Sequence, residues 1–279
     1  MTDACAIADA VKSAVAEAAV TLRPDVAASL RAAVDVEPSD RGRRVLAQLL
    51  ENARIASADR VPLCQDTGTV WVWIELGEGE CIPEGLQDAV NGAVAAAYRE
   101  NGLRMSVVHD ALLDRSNTGD NTPAFLDVTA RSGPGATVHV MLKGGGSDNA
   151  SSLMMLDPSA GEDGIVDAVV RAVEAKATGA CPPLVIGVGI GGTFDTVAKL
   201  AKKALLAPID VSNADDRVAV LEQRLLEAVN ATGIGPAGLG GRTTALAVRV
   251  LTAPSHIAAL PLAVNLGCCA MRSVTVEVE

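Results

Sequence analysis

Apolar residues recur at three- and four-residue spacing through Ala6 to Val20 and again through Val26 to Val34, so the chain is predicted to open with two amphipathic helices. Pro24 and Pro38 punctuate them, and Ser39 and Asp40 can cap a third helix through Leu46, Leu49 and Leu50. The period then changes. Thr69 to Leu76 (TVWVWIEL) is β-branched and aromatic and reads as a strand with Trp71 and Trp73 on one face and Val70, Val72 and Ile74 on the other. Gly85 to Glu100 reads as a helix. Ala124 to Ala130 and Thr137 to Leu142 read as strands around the turn Ser132-Gly133-Pro134-Gly135. Further helices are predicted over Asp163 to Thr178, Thr193 to Leu206 and Asn213 to Ala231, and strands over Leu184 to Ile190, Thr244 to Thr252 and Ile257 to Leu266. The expected class is α/β, or mixed α+β: N-terminal helices followed by a mixed sheet flanked by helices. No repeat or long linker is visible, so residues 1–279 read as a single domain with a helical part over 1–60.

Composition narrows the function classes. The chain has 279 residues and a net charge of −11, which disfavours a nucleic-acid partner. No apolar run is long enough to span a membrane, and MTDACAIADAVKSAV lacks the basic start of a secretory signal, so a cytoplasmic protein is expected. Six cysteines in such a protein do not form a disulfide framework. Aromatic residues are only 2% of the chain, so the core must be built from Ala, Val, Leu and Ile.

Three cysteines stand apart. Cys64 lies in PLCQDTGT, Cys181 in GACPPLVIGVGIGG and Cys268 in AVNLGCCAMR. Each is set among Gly and Pro residues that allow sharp turns, the pattern expected of thiolates reaching one inorganic centre from separate loops. Three protein ligands would leave one position open for chemistry. Cys5 and Cys81 carry no such signal and read as small hydrophobes. In the first loop Asp66 is a candidate acid or base, although Asp-Thr-Gly is equally an Asx turn. The loop Arg115 to Pro123 reads as a polar surface turn. The glycines after Lys143 let backbone N–H groups approach an anion, but the order is not that of a Walker A loop. Gly187-Val188-Gly189-Ile190-Gly191-Gly192 satisfies the dinucleotide fingerprint between an apolar strand and a helix, with Asp210 18 residues further on. No second apolar strand leads to Asp210, so NAD binding is the weaker reading. Of the three histidines, His256 opens the run towards Cys268 and can tune protonation there, whereas His109 and His139 read as structural.

Taken in order, CQDTGT, NTGDNTP, KGGGSDN, CPPLVIGVGIGG, GIGPAGLGG and the Pro-x-His…Leu-Pro…Cys ending resemble the α subunit, or N-terminal catalytic domain, of class I (iron–sulfur) fumarate hydratases and L(+)-tartrate dehydratases. The resemblance runs from Cys64 to Arg272. It implies a [4Fe–4S] cluster held by Cys64, Cys181 and Cys268, with Cys269 an adjacent rival for the third place, and water added to or removed from a small hydroxy-dicarboxylate, fumarate/malate ahead of tartrate, without net redox change. It further implies Asp66 and His256 as the catalytic acid arrangement, and Gln65, Arg104 and the Gly145 backbone as substrate-binding groups. The base and further cations come, in that family, from a second part. This chain therefore resembles an α subunit that needs a separate β subunit, with α paired within a hetero-oligomer. A non-catalytic homologue is the remaining alternative.

Overall fold

A computed structural model describes residues 3–279. The chain groups into two compact units. One comprises the described residues of Met1–Arg23 with Ala53–Gly145 and Arg272–Glu279; the other comprises Pro24–Asn52 and Gly146–Met271. The chain passes from one unit to the other four times, at residues 23/24, 52/53, 145/146 and 271/272, which is why no linker composition marks a boundary.

The first unit is built on a sheet of order β2-β1-β3-β8, formed by β1 (Thr69–Leu76), β2 (Phe125–Ala130), β3 (Ala136–Lys143) and β8 (Ser273–Val278). β1 runs parallel to β2 and antiparallel to β3, and β3 pairs antiparallel with β8. The period of two sorts its faces. Val70, Val72 and Ile74 meet Val138, Val140 and Leu142 in one core, covered by Ile7, Val11 and Val15 of α1 (Ala4–Val20) and by Val90, Val94 and Tyr98 of α4 (Leu86–Glu100). Trp71 and Trp73 point the other way, as expected of packing residues. Their rings meet edge to face at 5.5 Å, and their indole N–H groups donate to Asp127 (3.1 Å) and Thr129 (2.9 Å). His139, in β3, bonds Thr275 at 2.8 Å across the sheet.

The second unit carries a sheet of order β4-β7-β5-β6, from β4 (Ser152–Leu156), β5 (Leu184–Gly192), β6 (Ala245–Ser255) and β7 (Leu260–Gly267). β5 is parallel to β6 and antiparallel to β7. Leu184, Ile186 and Val188 face a core with Ile165, Val169 and Val173 of α6 (Gly161–Lys176) and Leu225 and Val229 of α8 (Asp216–Ala231). The opposite face of β5 holds Gly187 and Gly189, against which α7 (Phe194–Ala204) lies. A Cβ on Gly187 would fall 2.2 Å from the Ala201 carbonyl oxygen, and one on Gly189 2.6 Å from that of Val197. These glycines serve close packing of a helix on a strand, and they do not form a dinucleotide-binding turn: the whole Gly187–Gly192 run lies within β5, whereas the fingerprint needs its glycines in the turn between strand and helix.

Two strands and one short helix were not expected. β4 (SLMML) has no β-branched residue, β8 is short and follows the motif-rich region, and α5 (Gly145–Asn149) is only five residues long. The strand expected over Ile257 to Leu266 begins at Leu260, because residues 256–259 close a turn in which Ala259 N–H donates to the His256 carbonyl. Among the described residues no helix is long and apolar enough to cross a membrane.

Candidate functional site

The Cys64–Thr69 loop enters β1 through a backbone that only glycine can supply. Gly68 has φ +82°, and a Cβ there would sit 2.7 Å from the Lys143 carbonyl. Asp66 closes this turn: its Oδ1 accepts the Gly68 N–H at 3.0 Å, so the Asx turn exists. The same carboxylate does more. Oδ1 also pairs with Arg104 Nη2 at 3.0 Å, and Oδ2 accepts the Gly145 N–H at 2.8 Å. The anion-binding capacity expected of the Lys143 to Gly146 glycines is thus used, in this structure, on Asp66. Asp66 retains 22% side-chain exposure and Arg104 55%, so both remain open to solvent. Gln65 is exposed beside them and accepts the Cys64 thiol at 3.3 Å.

Arg104 is held by residues the sequence reading passed over. Its carbonyl accepts the Thr67 hydroxyl at 2.6 Å. Asn121, fully buried with φ +61°, accepts the Ser106 N–H at 2.7 Å and donates to the Gly68 carbonyl at 3.2 Å. The polar loop around it is therefore an anchor rather than a plain surface turn; an Asn flanked by Asp and Thr beside a Pro was the available signal. Tyr98 donates its hydroxyl towards the Thr67 and Gly68 carbonyls at 3.0 and 2.9 Å. Burial pushes its phenol up to about 12.

Tyr98 is the sole tyrosine, which gives a clean spectroscopic test. Its pKa is raised on folding from 10.0, so the stability it lends is present below pH 10 and is lost as the pH rises towards about 12. Phenolate absorbance of the native chain is expected to stay flat through pH 10 to 11 and to rise only with unfolding. A shift of this size corresponds to about 2–3 kcal/mol. A native titration centred near 10 would contradict the burial.

In the second unit, Cys181 precedes β5 and Cys268 follows β7. Val185 pairs with Gly267, so the two cysteines emerge at one end of the sheet. The Cys269 N–H donates to the Cys181 carbonyl at 3.1 Å. Cys181 is exposed in a left-handed conformation (φ +56°, ψ +70°), a strained backbone for a residue with a Cβ, of the kind that concentrates at functional sites. Cys268 and Cys269 are half-buried. Cys64, also half-buried, belongs to the first unit. None of the three is a sealed packing residue, and thiolates are the donor type that an iron–sulfur group takes. Among the described residues no three His, Cys, Asp or Glu side chains are grouped to hold a single metal ion. His256 is exposed at the opposite end of the same sheet, where Gly192 pairs with Ser255, and its Nδ1 accepts the Ala258 N–H at 3.1 Å. The structure therefore gathers Cys64, Gln65, Asp66, Arg104 and Gly145, and separately Cys181 with Cys268 and Cys269, but it does not bring His256 to those cysteines.

The sequence is similar to known proteins over nearly its whole length. An L(+)-tartrate dehydratase subunit alpha, so named provisionally, from Methanocaldococcus jannaschii is 38% identical over 272 residues, which are 95% of each chain. L(+)-tartrate dehydratase subunit alpha of Escherichia coli (strain K12) is 33% identical over 260 residues, 91% of this chain and 85% of that one. The same protein of Shigella sonnei matches to the same extent. The sequence model of the fumarate hydratase (fumerase) family matches residues 8–277. With this match over nearly the whole chain, and relatives at 33–38% identity, the chain belongs to the fumarate hydratase (fumerase) family, a family of hydro-lyases.

Proposed function

We propose that this chain is the α-type subunit of a two-subunit hydro-lyase that reversibly adds water to the double bond of a C4 dicarboxylate. The reading rests foremost on the Asp66 carboxylate, which three donors fix in place beside an exposed Arg104 in the loop that also carries Cys64 and Gln65. Fumarate/malate is the substrate pair to test first, from the family description, and L(+)-tartrate second, from the names of the relatives. Those names, which specify a subunit alpha, also support a separate partner subunit. Pairing of α inside that assembly is part of the same proposal.

Cys64, Cys181 and Cys268 are proposed to hold a [4Fe–4S] cluster, which when bound supplies an open iron that acts as a Lewis acid on the substrate oxygen. The chain's own residues then divide the remaining work. Arg104 presents a planar fork to one substrate carboxylate, a geometry a lysine does not offer. The Gln65 amide and the Gly145 N–H orient the substrate; Gly145 does so by exchanging its bond to Asp66. Asp66 carries the proton that leaves with the hydroxyl as water in dehydration and takes one from water in hydration. Bonds balance without an oxidant: in dehydration the C–H proton passes to a base proposed to come from the partner subunit, the C–O bond breaks as Asp66 protonates the leaving hydroxyl, and a π bond and water result; hydration runs the same steps in reverse. His256 is retained as a candidate acid-assisting group, although it lies at the far end of its sheet from Cys268.

The test is an anaerobic iron and sulfide count on the reconstituted chain and on Cys64→Ala, Cys181→Ala and Cys268→Ala, followed by turnover of fumarate, malate and L(+)-tartrate with and without the partner subunit. About four irons per chain, lost or degraded in each variant, and turnover that needs the partner are expected. A chain that folds without iron, or full turnover by α alone, would overturn the cluster and the two-subunit reading respectively.

A further inference from the structure

Arg272 is the largest fully buried side chain among the described residues, 2% exposed, immediately before β8. Burying a guanidinium is unfavourable unless it is paired and hydrogen-bonded. Its hydrogen bond here runs to a backbone carbonyl rather than to a carboxylate: Nη1 donates to the Asp66 C=O at 2.6 Å. Nε is buried with no partner. Nη2 and Asp66 Oδ2 each lie 3.4 Å from the place a Cβ would occupy on Gly144, so the guanidinium and the carboxylate flank the same bare stretch of backbone. The Arg272 carbonyl in turn accepts the Leu142 N–H at 3.0 Å, which ties the residue to the end of β3. A neutral hydrogen-bonding side chain would satisfy one carbonyl with far less desolvation. A rigid cation spent on the backbone of Asp66 therefore needs a further reason.

Resting on the proposed role of Asp66, we infer that Arg272 is a positioning residue for the reaction: it fixes the Cys64–Gln65–Asp66 loop from behind, so that the Asp66 carboxylate is held by its donors in the free chain and presented to the substrate in that same orientation. It does not touch substrate. Arg104, exposed, governs substrate binding; Arg272, buried, governs the alignment of the proton-carrying carboxylate. A misplacement of about 1 Å in such a group lowers turnover on the order of 10²-fold.

The experiment compares Arg272→Lys and Arg272→Gln with Arg104→Lys in the full chain. Hydrogen exchange of the Gly68 and Gly145 amides, which donate to Asp66, is read in the chain alone. kcat and KM are read in the complex with its partner. In Arg272→Gln the two amides are expected to exchange roughly tenfold faster or more while the Thr243 amide, bonded to Glu37 in the second unit, keeps its protection. Its kcat is expected to fall about 10- to 100-fold with KM within about threefold, and Arg272→Lys to recover part of that loss. Arg104→Lys should instead chiefly raise KM. Unchanged exchange at Gly68 and Gly145, a rise in KM alone, a uniform loss of protection, or failure of both Arg272 variants to fold would each overturn the assignment. Inactivity of the wild-type complex towards all three substrates would sink the hydro-lyase reading instead, while the exchange data would still judge the Arg272 contact.

Discussion

Asp66→Asn is expected to lower kcat by roughly 10²- to 10⁴-fold in the assembled enzyme, the range lost when a positioned acid–base group is removed. The structure makes this substitution informative because it is nearly isosteric but chemically wrong on both sides. As a carboxylate, Asp66 accepts on both oxygens: from Gly68 and Arg104 at Oδ1 and from Gly145 at Oδ2. An asparagine must turn its NH₂ towards one of these donors. If the oxygen stays with Gly68 and Arg104, the amide opposes the Gly145 N–H, and Arg104 loses its counter-charge. A stability loss of about 1–3 kcal/mol is therefore expected alongside the activity loss. Steady-state kinetics with fumarate and malate, together with a urea titration, separate the two. A kcat within a few-fold of wild type in a folded Asp66→Asn complex would remove Asp66 from the proton-carrying role.

Gly187→Ala should be among the more damaging single methyl additions in the second unit. The added carbon would lie 2.2 Å from the Ala201 carbonyl oxygen and 3.0 Å from Leu205 Cγ. Backbone cannot rotate away as a side chain does, so α7 must lift from β5. The Val197–Ala201–Ala263 contact on that face then opens. We expect about 3–5 kcal/mol of destabilisation, at the upper end for overpacking. Gly92→Ala is the matched control: it lies on the exposed face of α4 with nothing within 4 Å of the new Cβ, and should stabilise by about 0.5–1 kcal/mol. Urea denaturation of both variants decides the matter. A Gly187→Ala chain as stable as wild type, having lost only nicotinamide binding, would restore the dinucleotide reading that the packing argues against.

Much of this protein was legible in the sequence because its signals are local. The three N-terminal helices, β1, α4, β5 and α7 follow from period and caps. The Trp71/Trp73 alternation separated the two faces of β1, and the structure shows Val70, Val72 and Ile74 on the face that meets the valine core. The ordered motifs also pointed to the family without any coordinates, since six separated Gly-, Pro- and Cys-marked loops rarely coincide. β8 should have been found, because Ser-Val-Thr-Val-Glu-Val alternates cleanly. β4 could not, because Ser-Leu-Met-Met-Leu has no β-branched residue and pairs only because β7 lies beside it.

What only tertiary structure decided is whatever depends on residues distant in the chain. One octapeptide permitted both an Asx turn and a catalytic acid at Asp66. The fold forms the Asx turn and also delivers Arg104 and Gly145 to the same carboxylate, the arrangement on which the proposed acid role rests. The Gly187 run satisfied two incompatible patterns, and the choice fell to the Ala201 and Val197 carbonyls of a helix that the motif does not contain. Arg272 carries no local mark of importance, and the Asp-Asn-Thr-Pro context of Asn121 does not say what it bonds; they matter because burial leaves a polar group no water to bond, so each is committed to a backbone partner 53 or 206 residues away. The sequence determined the elements and the kinds of chemistry available. The pairing of side chains across the fold determined which of those groups are held in place to act.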